Sequence, residues 1–203
     1  MQNLLARVIS YLLHPLLIPV YVLLLVLNTS DTSNLMIPFS YKITLFGMVA
    51  LTTVLFPLFL TFLLFRFRLI SSIYLDQREE RVYLILAVAI FYYLTYYLLK
   101  GVSLSIIFNY FMLGSALLAL VTLILNFYFK VSLHMIGVGS LCGLLLGISI
   151  KYGVRAEIPL YLSILASGIT GFARLELNAH RPSEIYWGYF LGVTGMALMM
   201  LLR

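Results

Sequence analysis

Long apolar runs, separated by short polar links, set the pattern of this chain. Seven runs stand out, at about 4–27, 43–65, 82–99, 106–129, from 134 onward, 159–172 and 185–202. Several have the roughly 20 residues that a helix needs to cross a hydrocarbon core of about 30 Å. The pattern predicts an all-α fold: a polytopic membrane helix bundle of six to seven transmembrane helices. Residues 1–203 would form one integral membrane domain, lying in or at the lipid bilayer.

The interruptions carry further information. His14-Pro15 and Pro19 predict a kink in the first run, and His14 there is a candidate buried hydrogen-bonding residue. The link at 28–34 (NTSDTSN) has loop composition. Pro57 lies inside the second run, which ends in Arg66 and Arg68. The segment 69–81 (LISSIYLDQREER) is amphipathic enough to lie along the interface, with DQREER as a headgroup-level turn. Gly139, Gly143 and Gly147 recur every four residues in the fifth run, as do Gly188 and Gly192 in the seventh. Small residues on one stripe let a neighbouring helix backbone approach closely.

Composition narrows the class. With 63% hydrophobic and 10% charged residues, the chain could not cover a soluble domain of this length with polar surface. The net charge of +6 is spread over the loops rather than gathered in a stripe, so no nucleic-acid partner is expected. The tyrosines at 83, 92, 93, 96 and 97 fit an interfacial aromatic belt. Cys142 is the only cysteine and lies within an apolar run, where it packs as a small hydrophobe. The first run lacks an A-x-A-like cleavage site and reads as a retained span.

With seven spans, the links 2–3, 4–5 and 6–7 fall on one side of the membrane. They carry Arg78 and Arg81, then Lys130, Ser132 and His134, then Arg174, His180 and Glu184. The links on the other side hold Lys100, Lys151, Arg155 and Glu157, without a histidine. The unusual polar residues therefore converge on one face, as an active site requires. Cations are nearly balanced once those in the converging links are set aside, so the positive-inside rule does not orient the chain.

The converging residue types suit phosphate chemistry. In the stretch 130–134 (KVSLH), Ser132 fits a helix N-cap, and the positive end of a helix beside Lys130 favours an anion. His134, in the first turn, can give or take a proton there. In the stretch 173–192 (ARLELNAHRPSEIYWGYFLG), Pro182 suits the first turn of the last helix. Glu184 follows His180 by four residues, within reach of one imidazole nitrogen, which fixes the tautomer and activates the other nitrogen. Arg174 offers a planar fork for phosphate oxygens. Two histidines, one acid and several cations fit phosphoryl transfer through a histidine.

These residues carry a resemblance to the type 2 phosphatidic acid phosphatase (lipid phosphate phosphatase) superfamily, in a divergent prokaryotic branch. The family's third motif, S-R-x5-H-x3-D before a glycine-containing helix, is matched by Ala173, Arg174, His180, Glu184, Gly188 and Gly192. Its second motif, P-S-G-H, is matched by Ser132 and His134 within K-V-S-L-H. Its first, K-x6-R-P, keeps Arg81, with Val82 for the proline and Tyr74 at the lysine position. The family-like core covers about 69–203.

The resemblance implies a metal-independent, cofactor-free lipid phosphatase in the inner (plasma) membrane. His180 would be the nucleophile, forming a phosphohistidine, and His134 the acid that protonates the leaving group. Glu184 would orient His180; Arg81, Arg174 and Ser132 would bind phosphate. Lys130 is our own candidate for the absent first-motif lysine. Substrates of isoprenoid, glycerophospholipid or lipid A type all fit. Two other readings use the same residues. One is a catalytically weak or inactive member that binds or transports lipid, with His14, Asn109 and Asn126 along a path. The other is a metal site of His134, His180 and Glu184, which Arg174 and Lys130 would oppose by repelling a cation.

Overall fold

The computed structural model describes residues 2–28, 38–72, 77–102 and 106–202. Most of the 28–34 link, and Tyr74 of the first-motif segment, lie outside the described residues. The described chain is helical, with no strand. Its helices in order are α1 (Gln2–Leu12), α2 (Ile18–Leu27), α3 (Phe39–Ala50), α4 (Phe56–Arg66), α5 (Arg78–Leu99), α6 (Ile106–Asn126), α7 (Leu133–Tyr152), α8 (Glu157–Glu176) and α9 (Pro182–Leu202). A 3₁₀ turn, Pro15–Leu17, separates α1 from α2, and a π-helical turn, Leu51–Leu55, joins α3 to α4.

Taken through these turns, seven described segments are long and apolar enough to cross a membrane, from Asn3–Leu27 to Pro182–Leu202. Large apolar side chains point outward along them, among them Phe59, Phe62, Trp187 and Phe190. Water would penalise that surface, whereas lipid accepts it. The chain is a multi-pass, all-α membrane protein.

Both interruptions follow from proline. The helical region is disfavoured for a residue before proline, and His14 is extended at φ −67° and ψ 136°. Pro57 has no N–H to offer the turn before it, and the ladder there widens into the π-helical turn.

The chain divides into two compact units, 1–18 with 131–203 and 19–130. In the second unit α5 packs along α6 and also against α4 and the π turn. Thr95 donates its hydroxyl to Thr52 Oγ1 at 2.8 Å, a buried polar tie at that turn. Within the charged block expected as a headgroup-level turn, Arg78–Arg81 form the first turn of α5. Glu79 and Glu80 suit the positive helix end, and Ser71 N–H donates to Glu80 Oε1 at 2.7 Å. Arg78 donates to the Tyr128 carbonyl, and Asn126 donates to the Arg78 carbonyl. Tyr92 also departs from the aromatic belt, being buried, while Tyr83, Tyr93 and Tyr97 are half-exposed.

In the first unit α7 and α9 run parallel in close contact. Gly188 lies against Ser132, Gly139 against Tyr189, Gly143 against Val193, and Gly147 against Met200, so residue numbers rise together along the pair. A Cβ on Gly143 would overlap the Val193 carbonyl oxygen, and one on Gly192 would overlap that of Ile136. The four-residue glycine spacing is the condition for this backbone approach. Helix α8 runs antiparallel to both. Its Gly171 sits near Met135 and Ile185, while Ser163 accepts from Cys142 Sγ at 3.1 Å further along. The unit is completed by α1, packed on α8, and by the 3₁₀ turn, packed on α7.

Candidate active site

This topology places three helix ends together: the starts of α7 and α9 and the finish of α8. The Ser132 N–H donates to the Glu184 carbonyl at 3.2 Å, tying the two starts directly. His134, Arg174, His180 and Glu184 therefore gather at one end of the first unit.

Local sequence shapes each end. Helix α8 stops because Asn178 adopts the left-handed conformation, φ 49°. Around it, Asn178 N–H donates to Leu175 O at 2.9 Å and Ala179 N–H donates to Arg174 O at 3.1 Å. This paired closure satisfies carbonyls that a helix end leaves open, and asparagine is one of the few residues besides glycine that tolerates the conformation. It turns the chain just after Arg174 and delivers His180. Helix α9 then starts at Pro182. The Arg181 carbonyl accepts from Glu184 N–H and Ile185 N–H, which makes Arg181 the N-cap. Glu184, in the third helical position, reaches back to the Arg181 N–H at 3.4 Å, the return half of a capping box.

The same carboxylate oxygen lies 2.6 Å from His180 Nδ1. Both side chains are largely covered, at 6% and 18% exposure. An ionised carboxylate only accepts, so Nδ1 carries the hydrogen and Nε2 of the neutral ring carries the lone pair. This is the tautomer a nucleophilic imidazole needs.

Across the site, His134 Nε2 lies 3.2 Å from the carbonyl oxygen of Ser10, which can only accept, so that nitrogen is the donor. Arg174 Nη1 donates to the Ser10 hydroxyl at 3.3 Å. Its Nε is buried without a hydrogen-bond partner. The ring of His14 stands edge to face against His134, with centroids 5.0 Å apart. His180 lies within electrostatic range of His134.

Of the seven sequence-derived site residues, His134, Arg174, His180 and Glu184 lie at this end of the first unit. Ser132 sits at the N-cap of α7 with extended backbone, but its side chain makes no capping bond. Its hydroxyl is fully buried and without a partner, and its N–H is used by Glu184 rather than left open. Arg81 and Lys130 belong to the second unit, where Arg81 is buried in the first turn of α5. Among the described residues, no three His, Cys, Asp or Glu side chains are grouped to hold a metal ion.

Sequence reasoning missed Ser10. The signal was present: Ala6 and Ser10, four apart, are the buried ones among the described side chains of α1 and form a small-residue stripe on the face turned to α8. Comparison of the chain with family models, with curated proteins and with solved structures finds no match.

Proposed function

We propose that the chain is an integral membrane lipid phosphatase. It hydrolyses a lipid phosphate or pyrophosphate monoester through a phosphohistidine at His180. The observation that carries this reading is the short His180–Glu184 contact beside Arg174 and His134. The resemblance of the motifs at 130–134 and 173–192 to lipid phosphate phosphatases supports it.

In the first step His180 Nε2 attacks phosphorus as the ester P–O bond breaks. The lipid alkoxide takes its proton from His134, and the imidazolium formed on His180 is stabilised by Glu184. In the second step water attacks the phosphohistidine, its proton passes to His134, and inorganic phosphate leaves. Arg174 holds the non-bridging oxygens; a planar guanidinium is suited to them and gains strength away from water. Ser132, in the same unit, completes the proposed phosphate-binding set.

A substrate of isoprenoid, glycerophospholipid or lipid A type fits a chain whose mass lies in helices facing lipid. The test is phosphate release from a panel of such lipids by purified protein, with chelator present and His180→Ala as control. Release abolished by His180→Ala, with acid-labile phosphate on the wild-type protein, is expected. Undiminished release from His180→Ala would overturn the mechanism. No release from any lipid phosphate would favour a lipid-binding or transport protein.

A further inference from the structure

Ser10 engages two of the side chains that the proposed reaction assigns to phosphate. Its carbonyl oxygen accepts from His134 Nε2, and its hydroxyl accepts from Arg174 Nη1. One residue thus offers two oxygens to donors on two different helices, as two oxygens of one phosphate would.

The sequence explains why that carbonyl is available. In an unbroken helix, Ser10 O would accept from the N–H of His14. Here Pro15 forces His14 into an extended conformation, and His14 N–H turns to Tyr11 O at 3.4 Å. The carbonyl of Ser10 is left to His134. The break at 13–15 also ends α1 before the 3₁₀ turn, so that α1 is a helix separate from α2. Its outer face, with Leu4, Leu5, Val8 and Leu12, is exposed.

While this bond holds, the hydrogen on His134 Nε2 is engaged by Ser10 rather than by a leaving oxygen. Arg174 meanwhile spends one donor on Ser10 and keeps Nε buried and unpartnered. Both groups are thus engaged by one residue, and one buried donor of Arg174 remains over.

We propose that Ser10 is a built-in placeholder for a tetrahedral oxyanion: the last turn of α1 closes the site, and a phosphate monoester displaces it by moving that turn about the 13–15 break. This rests on the reading of His134 and Arg174 as phosphate-facing groups. The closed form holds back part of the affinity for phosphate, because only the open fraction binds.

The test is calorimetric titration of inorganic phosphate into the purified full chain and into Ser10→Ala. The variant frees Arg174 Nη1 and keeps the backbone. Phosphate should bind the variant about three- to tenfold more tightly, as weakening one of two closing bonds would produce. Binding only by the variant would also support the proposal. Equal or weaker binding by the variant overturns the placeholder and leaves the phosphate reading standing. No binding by either protein overturns both. A second measurement places a nitroxide at Tyr11→Cys, an exposed position in the moving turn, with the native Cys142 buried away from the reagent. Saturating phosphate should add a mobile component to the spectrum, and an unchanged spectrum in a protein that binds phosphate overturns the displacement.

Discussion

His14 and His134, far apart in the sequence, meet edge to face with ring centroids 5.0 Å apart and planes at 82°. His14 is held there by its own backbone. Its Nδ1 accepts from Leu16 N–H at 3.3 Å, which caps the 3₁₀ turn and puts the hydrogen of the neutral ring on Nε2. The helix break that Pro15 imposes therefore does two things. It releases the Ser10 carbonyl toward His134 and presents a third imidazole to the same end of the unit.

The capping role of His14 is separable from its ring. His14→Asn keeps a short acceptor for Leu16 N–H, whereas His14→Phe keeps an aromatic ring and removes the acceptor. Loss of such a cap costs about 1 kcal/mol. Denaturation in detergent should show His14→Phe less stable than His14→Asn. Equal stability of the two would show that the cap contributes nothing.

Glu184 offers the sharpest test of the proposed chemistry. Glu184→Gln retains the shape and a possible hydrogen bond but cannot stabilise an imidazolium, so turnover should fall by roughly three to four orders of magnitude. Glu184→Asp draws the oxygen back by one carbon–carbon bond from a contact already closed at 2.6 Å. It should lose rate as well, although aspartate is the residue expected from the resemblance. Unchanged turnover in Glu184→Gln would remove the orienting role.

Asn178 tests whether the turn after α8 delivers His180. Asn178→Gly should fold as well as the wild type or better, since glycine suits φ 49° at least equally. Asn178→Val should cost about 1–2 kcal/mol, because a β-branched side chain resists the left-handed region. It should also reduce phosphate release even where the protein folds. Wild-type stability and activity for the valine variant would show that the turn tolerates another geometry.

The parallel α7–α9 pair can be probed with alanine alone. Gly143→Ala pushes a methyl into the Val193 carbonyl and should cost roughly 1–3 kcal/mol in overpacking. Gly168, on α8, has open space around its missing Cβ. Gly168→Ala should therefore stabilise, by about 1 kcal/mol at most, through helix propensity. Thermal unfolding of the two variants side by side decides the matter. Similar behaviour would mean that α7 and α9 are not in backbone contact there.

Much of this protein is written locally in its sequence. The spans follow from runs of apolar residues, because a helix in lipid must satisfy its backbone internally and clothe it in apolar side chains. The helix break at Pro15, the stop at Asn178 and the start at Pro182 each arise from one residue's backbone restriction. The His180–Glu184 pair is equally local, since four residues make one helical turn. Even the α7–α9 approach was legible, in glycines spaced by four.

Other features needed the tertiary structure. Nothing about Ser132 in the sequence shows that its N–H would be taken by the Glu184 carbonyl and its hydroxyl buried without a cap. The charged block 78–81 became helical because Ser71 and the end of α6 supply partners that the local pattern does not contain. Ser10 looks like an ordinary small residue of an apolar helix. It became the partner of both His134 and Arg174 only because α1 packs on α8 while the 3₁₀ turn packs on α7. A turn, a cap or a span depends on energies between near neighbours in the chain, and sequence spacing reports those directly. Which distant donor meets an orphaned carbonyl depends on how rigid helices pack, and that was decided in three dimensions.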